Sequence, residues 1–373
     1  MARRASRRKI EMSKFPSFEG RADEPPSASL LSVATAVPPH ILRQADVADA
    51  AGSLFADRFP DFDRMAHVFR TAGIRTRNTV KPIEWYFEAR GWEERTAAYL
   101  EGARDLFAAA AGDALAASGR QAADVDTIVT VSSTGLATPS LEARVAERLG
   151  FRPDVERVPV FGLGCAGGVT GLALGARLAR GRPGSTVLVV AVEVCSIAFR
   201  LDQLSKANIV ATALFGDGAA ACVLRTGEAG LAQIEGAGEH MWPGTLDIMG
   251  WDVDRHGLRV IFDREIPPFA QQHLGPAIRA ILHKIGIERE TIDRFVCHPG
   301  GSKVVVALER ALDLDQGALD HERAVLSEHG NMSSPTVLFV LDRVRRSGLP
   351  RRAVMTALGP GFTASSISLA GAA

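Results

Sequence analysis

The feature that most constrains this chain is a recurring unit in which a short apolar strand runs straight into a glycine-containing turn and then a helix. Val125–Ser133 is β-branched and leads into Thr134-Gly135, with a helix expected from about Pro139. Arg157–Phe161 leads into Gly162-Leu163-Gly164-Cys165-Ala166-Gly167-Gly168 and an apolar helix reaching Ala179. Phe295–Cys297 leads into His298-Pro299-Gly300-Gly301 and a helix through Leu312. With a first strand at Leu30–Ala36, a long helix over 93–118 and a buried strand at Ala219–Leu224, this alternation requires an α/β architecture. Glycine just past a strand permits a sharp turn and close approach of backbone to a ligand. Two of these turns carry a reactive residue, Cys165 and His298, which points to a duplicated fold with halves at 27–226 and 227–373.

A chain of 373 residues has room for two such units. Lys+Arg and Asp+Glu both number 43, so there is no global basic field, which argues against nucleic acid or an anionic membrane as the main partner. Cys165, Cys195, Cys222 and Cys297 lie far apart without a Cys-x-x-Cys pair. That spacing speaks against a disulfide scaffold or zinc ribbon and for a reducing, cytoplasmic setting. No cluster has metal-ligand spacing, so no metal is expected, and no apolar run is long enough to span a membrane. Residues 1–26 read differently. Arg3, Arg4, Arg7, Arg8, Lys9 and Lys14 are followed by no apolar stretch, so the segment is expected to be a disordered basic arm rather than an export signal.

Three residues stand out as chemical. Cys165 sits at the expected start of a helix, where the N-terminal dipole stabilises a thiolate, the nucleophilic form. Cys195 and Cys222 belong to or adjoin apolar strands, the ordinary place for a small core cysteine. His298 is the only one of nine histidines at a strand end directly before Pro-Gly-Gly. Asn331, in His329-Gly330-Asn331-Met332-Ser333-Ser334-Pro335, precedes the apolar helix Thr336–Val344, where a capping role is the simpler explanation. Together the three can form a Cys-His-Asn site, with His and Asn donating to a thioester oxygen as charge develops on it. Papain-like proteases use the same residue types in the same order, so residue type alone leaves the reaction open.

Sequence context narrows it. Gly164-Cys165-Ala166-Gly167-Gly168, Ala213-Leu214-Phe215-Gly216-Asp217-Gly218-Ala219-Ala220, His298-Pro299-Gly300-Gly301, Gly330-Asn331-Met332-Ser333-Ser334-Pro335-Thr336 and Gly359-Pro360-Gly361-Phe362 occur in one order. In this the chain resembles the type III polyketide synthases, the chalcone synthase-like branch of the thiolase-fold condensing enzymes, from about Ser29 to its end. The resemblance implies a duplicated, thiolase-like αβαβα layered fold, a homodimer, acyl-CoA and malonyl-CoA as substrates, and no cofactor beyond those thioesters. It makes Cys165 the acyl-carrying nucleophile, His298 and Asn331 the pair that drives decarboxylation and condensation, and Phe215 a gatekeeper beside the cavity. Ser133 and Gly361 are taken as substrate-contacting through their matching segments.

The chain also departs from the plant pattern. Val260 stands at the second gatekeeper position, with Phe262 two residues along on the same strand face. Of three basic residues that hold CoA phosphates in the plant enzymes only Arg64 has a counterpart; Asp61 and Val68 fill the other places, and Lys303 is a candidate substitute. Ala198 replaces a hydroxyl residue of the cavity. These losses of bulk, with Ser132–Ser140 and Met249-Gly250-Trp251-Asp252, resemble the bacterial alkylresorcinol and alkylpyrone synthases, which implies a fatty acyl-CoA starter. The nearest rival, a ketoacyl-carrier-protein synthase of the initiating type, typically has Gln-Ala-Asn after the histidine and needs a basic docking patch. A catalytically dead scaffold on the same fold is the rival of another class.

Overall fold

The structure, a computed structural model, describes residues 26–372. The expected basic arm lies, but for Pro26, outside the described residues. The chain opens with β1 (Ala28–Ala36), a ribbon of β2 (His40–Arg43) and β3 (Thr76–Thr79), and between them α1 (Gln44–Phe55), α2 (Phe62–Met65) and α3 (His67–Thr71). There follow α4 (Trp92–Ala117), β4 (Thr127–Val131), α5 (Leu141–Leu149), β5 (Glu156–Val160), α6 (Gly167–Gly181), β6 (Thr186–Val194), α7 (Lys206–Leu214) and β7 (Asp217–Thr226). The remainder is β8 (Ala232–Met241), the hairpin β9 (Met249–Asp254) and β10 (Gly257–Phe262), α8 (Ile266–Lys284), β11 (Arg294–Cys297), α9 (Ser302–Ala311), α10 (Asp320–His329), α11 (Thr336–Arg346), β12 (Arg352–Gly359) and β13 (Thr363–Gly371).

Nine strands form one sheet in the order β11-β12-β13-β8-β1-β7-β6-β4-β5. Its two parts repeat one another. β5, β4 and β6 run parallel, then β7 and β1 turn antiparallel. Likewise β11 and β12 run parallel, then β13 and β8 turn antiparallel. The second part is the first without its outermost strand. The two meet only at Ala28–Leu30 against Ala232–Ile234. β4, β6 and β7 are buried along nearly their whole length because helices cover both faces, and their β-branched and Ala content suits that setting.

Helices α6 and α11 lie side by side between the two parts, α6 packing on β4, β6 and β7 and also on β12 and β13. One apolar cluster joins these two helices to strands of both parts. α4 and α5 cover the outer face of the first part, and α8 and α9 that of the second. This is the αβαβα layering that the resemblance implies.

The duplicated pattern is placed differently from the expectation. The Cys165 turn and the His298 turn are not counterparts. By sheet position β11 matches β4, so His298 corresponds to the Ser132–Thr134 turn. The turn at the start of α6 corresponds to the one at the start of α11, which carries Asn331. A local strand-glycine-helix motif does not reveal which strand of a repeated sheet it ends.

Candidate active site

Cys165 lies in a single tight turn, Gly164–Ala166, directly before α6. Gly164 has φ +47, and a Cβ there would meet Pro360 Cδ at 2.7 Å, so this place suits glycine. A Cβ on Gly168 would stand 2.2 Å from the Ser334 carbonyl oxygen, so only glycine lets α6 rest on the Asn331 loop. Ser133, expected to touch substrate, instead braces this turn: its Oγ accepts from the Gly162 and Gly164 N–H groups at 3.1 and 3.3 Å. The Cys165 thiol points toward Ser333 Oγ, 3.6 Å away.

His298 continues the β11–β12 pairing through its own N–H to the Thr356 carbonyl at 2.9 Å. The side chain is only 4 % exposed, yet both ring nitrogens lack a hydrogen-bond partner. A core histidine kept for stability would have paired at least one of them, because a buried unpaired polar group costs about 1–3 kcal/mol. Asn331 is not a helix cap, since Pro335 takes that place before α11. Its backbone is pinned between Leu214 and Gly216. Its Oδ1 accepts from Ser333 N–H at 2.8 Å, and its Nδ2 donates to the Gly300 carbonyl at 3.2 Å, leaving a second amide hydrogen. Cys165, His298 and Asn331 line one cavity of about 20 Å³, walled by Met249, Phe262, Val304 and Leu308. The fold thus brings the three expected residues together from three separate turns.

Electrostatically the cavity is neutral at rest. Burial pushes the Cys165 thiol up to about 11, helped by the nearby Glu193 and only partly opposed by Ser333 and Asn331. Burial pulls His298 down to about 3. Desolvation thus opposes the expected helix-stabilised thiolate and keeps the imidazole that lines the same cavity uncharged. A neutral imidazole carries one N–H to donate and one lone pair to accept a proton.

Sequence reasoning missed Glu193. Its buried carboxylate accepts from Ser133 N–H (2.9 Å), Thr134 N–H (3.0 Å), Thr134 Oγ1 (2.7 Å) and Ser334 Oγ (2.8 Å). It ties the turn that braces Cys165 to the loop that carries Asn331, and burial pushes it up to about 7. The available signal was a lone acid inside the apolar run Val187–Val194.

The remaining expected residues are spread out. Phe262 lines the Cys165 cavity, and its ring meets Phe215 edge-on at 6.5 Å. Phe215 also lines a second, apolar hollow of about 70 Å³ with Tyr86, Cys195 and Phe199. Val260 shares a face with Phe262 and, with it, lines a surface groove beside Gln203, but it does not line the Cys165 cavity. Ala198 is buried in another small hollow beside Tyr99 and Leu258. Gly361, at φ +102, turns β12 into β13 next to Pro360. Arg64 is exposed and bound to Asp61 at 3.0 Å. Lys303 is exposed on α9, while Val304 and Leu308 of that helix face the cavity. Among the described residues no group of three His, Cys, Asp or Glu could hold a metal ion, and no helix is long and apolar enough to cross a membrane.

Comparison with known proteins agrees with this arrangement. Residues 18–228 match the family model for the N-terminal domain of chalcone and stilbene synthases, and residues 233–371 match that for the C-terminal domain. A 1,3,6,8-tetrahydroxynaphthalene synthase of Streptomyces peucetius subsp. caesius is 41% identical over 352 residues, covering 91% of this chain and 92% of that one. An alpha-pyrone synthesis polyketide synthase-like protein of Mycobacterium tuberculosis is 28% identical, covering 92% of each. The crystal structure of 1,3,6,8-tetrahydroxynaphthalene synthase from Streptomyces coelicolor superposes with a TM-score of 0.87 at 29% identity, covering 92% of this chain and 99% of that one. With both family domains matched in order around one shared cavity, the chain belongs to the chalcone and stilbene synthases and is a type III polyketide synthase of thiolase-like fold.

Proposed function

We propose that the Cys165 cavity carries out the condensation, with Cys165 as acyl carrier and His298 and Asn331 as donors. The observation that carries this reading is the buried imidazole with both nitrogens free, facing the same cavity as the thiol and the Asn331 amide. The acyl-CoA carbonyl is attacked by the Cys165 sulfur, whose proton passes to the imidazole, and CoA leaves as its thiol on taking that proton. Malonyl-CoA then loses carbon dioxide, and the His298 and Asn331 N–H groups hold the enolate oxygen that forms. The enolate carbon attacks the Cys165 thioester, a carbon–carbon bond forms as the acyl carbon–sulfur bond breaks, and the departing Cys165 sulfur takes a proton from solvent to restore the thiol. A neutral histidine and a neutral amide suit this step, since both donate without presenting a cation that would anchor the departing carboxylate.

The starter is proposed to be a fatty acyl-CoA and the product an alkylpyrone or alkylresorcinol. The apolar hollow beyond Phe215 and the likeness to the alpha-pyrone protein support that assignment. A second reading takes malonyl-CoA as its own starter and a tetrahydroxynaphthalene as product. The 41% identity to the Streptomyces peucetius enzyme and the small cavity at Cys165 favour it. Purified protein given malonyl-CoA alone, and then with acetyl-, medium- and long-chain acyl-CoA, with products read by mass spectrometry, separates the two. A naphthalene product from malonyl-CoA alone overturns the fatty-acyl assignment.

The protein is further proposed to be a cytoplasmic homodimer of chains built from two repeats, 27–226 and 227–373. Leu136 and Phe161, 57 % and 55 % exposed, follow β4 and β5 at the outer edge of the sheet and supply an apolar surface for a second copy.

A further inference from the structure

We propose that Arg200 is a positioning residue whose ion pair to Asp254 latches the β9–β10 hairpin over the Cys165 cavity and thereby selects the acyl chain length admitted. This rests on the reading that Cys165 carries the acyl group. The cavity of about 20 Å³ has room for about one water molecule, less than an acyl thioester and a malonyl group need. A wall must therefore move when substrate enters. Most of the wall is fixed. Thr356, Ala357 and Leu358 belong to β12 of the nine-stranded sheet, and Ile266, Leu274, Val304 and Leu308 belong to α8 and α9, which pack in one apolar cluster with β12. Met249 and Phe262 differ. They face each other at the open end of the hairpin, whose strands pair only with one another and stand outside the nine-stranded sheet.

A lone two-stranded hairpin is marginal in water, so its position depends on what holds it. Toward the open end, Trp251 and Phe262 meet the Phe215 ring edge-on at 6.2 and 6.5 Å. At the tip Val253, Arg255 and His256 are exposed, whereas Asp254 turns to the body. Its carboxylate accepts from Arg200 Nη1 at 2.7 Å, and its carbonyl from Trp92 Nε1 at 3.3 Å. The Arg200 side chain is only 1 % exposed. Its remaining donors go to Asp202 of the same loop, Nε to Oδ1 at 2.9 Å, and Asn208 Nδ2 pins its carbonyl at 2.8 Å. Arg200 is thus anchored on the body whether or not the hairpin is in place. A buried ion pair adds little net stability over apolar packing, but losing one partner is costly, so such a pair fixes a position. Gly257 and Leu258, beside the tip, also wall the hollow at Ala198, so the same attachment shapes two cavities.

Hydrogen–deuterium exchange of the full chain, read on peptides within residues 249–262, together with kcat and KM for a short and a long acyl-CoA, tests this. Asp254→Asn leaves Arg200 paired with Asp202 and keeps an oxygen for the His256 N–H, so the fold is retained. In that variant hairpin exchange should quicken about ten-fold. A longer chain needs a wider opening, so kcat/KM for the long acyl-CoA should rise relative to the short one, through KM rather than kcat. Asp202→Asn weakens the pairing of Arg200 on its own loop and should change neither readout. Unchanged exchange in Asp254→Asn, or equal effects in the two variants, overturns the latch, as does faster exchange with an unaltered starter ratio. Both expected effects in a protein that takes no acyl adduct at Cys165 overturn the reading of Cys165 and leave the latch standing.

Discussion

At Cys165 burial pushes the thiol up, against the direction in which the adjoining helix start acts. In the proposed reaction the thiol loses its proton only as the acyl group arrives, with His298 as the acceptor. His298 and Asn331 are the proposed donors, and removing one such donor typically lowers the rate by about 10²–10³. His298→Ala and Asn331→Ala should each depress starter-free decarboxylation of malonyl-CoA by that order, read as carbon dioxide release. Near-normal release in Asn331→Ala would reduce Asn331 to a turn residue that holds Ser333. These three residues were legible in the sequence because each sits in a glycine-bearing turn of unusual composition. The lining residues were less so. Val260 and Ala198 occupy positions that a linear comparison assigns to the cavity, yet one opens on a surface groove and the other on a separate hollow. Which way a small residue faces depends on hairpins and turns far from it in sequence. Val260→Phe is accordingly expected to leave the starter preference unchanged, whereas Phe262→Ala, enlarging the Cys165 cavity, should shift relative kcat/KM toward longer acyl-CoA.

Among the elements, the junction of α6 with the Asn331 loop is where function meets packing. Gly168→Ala forces a methyl group onto the Ser334 carbonyl and should both lower the unfolding midpoint and depress condensation. Glu193 spans the same junction. Glu193→Ala would leave two buried N–H donors and two buried hydroxyls unpaired, a loss of about 3 kcal/mol or more. Glu193→Gln can keep the acceptor at Ser133 and Thr134 while its amide turns to Ser334. The carboxyl's folded pKa, raised to about 7 from 4.5, means the folded state holds a proton that the unfolded chain releases. Glu193 therefore weakens the fold progressively as pH rises from about 4.5 to 7, by an order of 2–3 kcal/mol in all. Urea unfolding at pH 5 and pH 7.5 should show a fall in the wild type that is smaller in Glu193→Gln, where Asp217 and Glu322, also raised by burial to about 6 and about 7, still titrate. The strands and helices around the reactive turns could be read from apolar periodicity and glycine punctuation. The matching of turns between the two repeats could not, since a short strand carries no mark of its place in the sheet. Glu193 escaped for a related reason: Ser334, which it holds, is 141 residues away.

For the whole molecule, the layered order places both central helices with their first turns at the catalytic cavity, which explains why one fold needs both family domains. The apolar edge at Leu136 and Phe161 predicts that sedimentation velocity will report a dimer and that Phe161→Asp will shift it toward monomer. An unchanged sedimentation coefficient would move the interface elsewhere. The central claim, that Cys165 is the acyl carrier, is tested most directly by intact-mass and peptide-mapping spectrometry after brief exposure to acyl-CoA. A single acyl adduct is expected, mapped to Cys165, absent in Cys165→Ala and retained in Cys195→Ala and Cys222→Ala. An adduct mapped to another cysteine, or one that persists in Cys165→Ala, would contradict it.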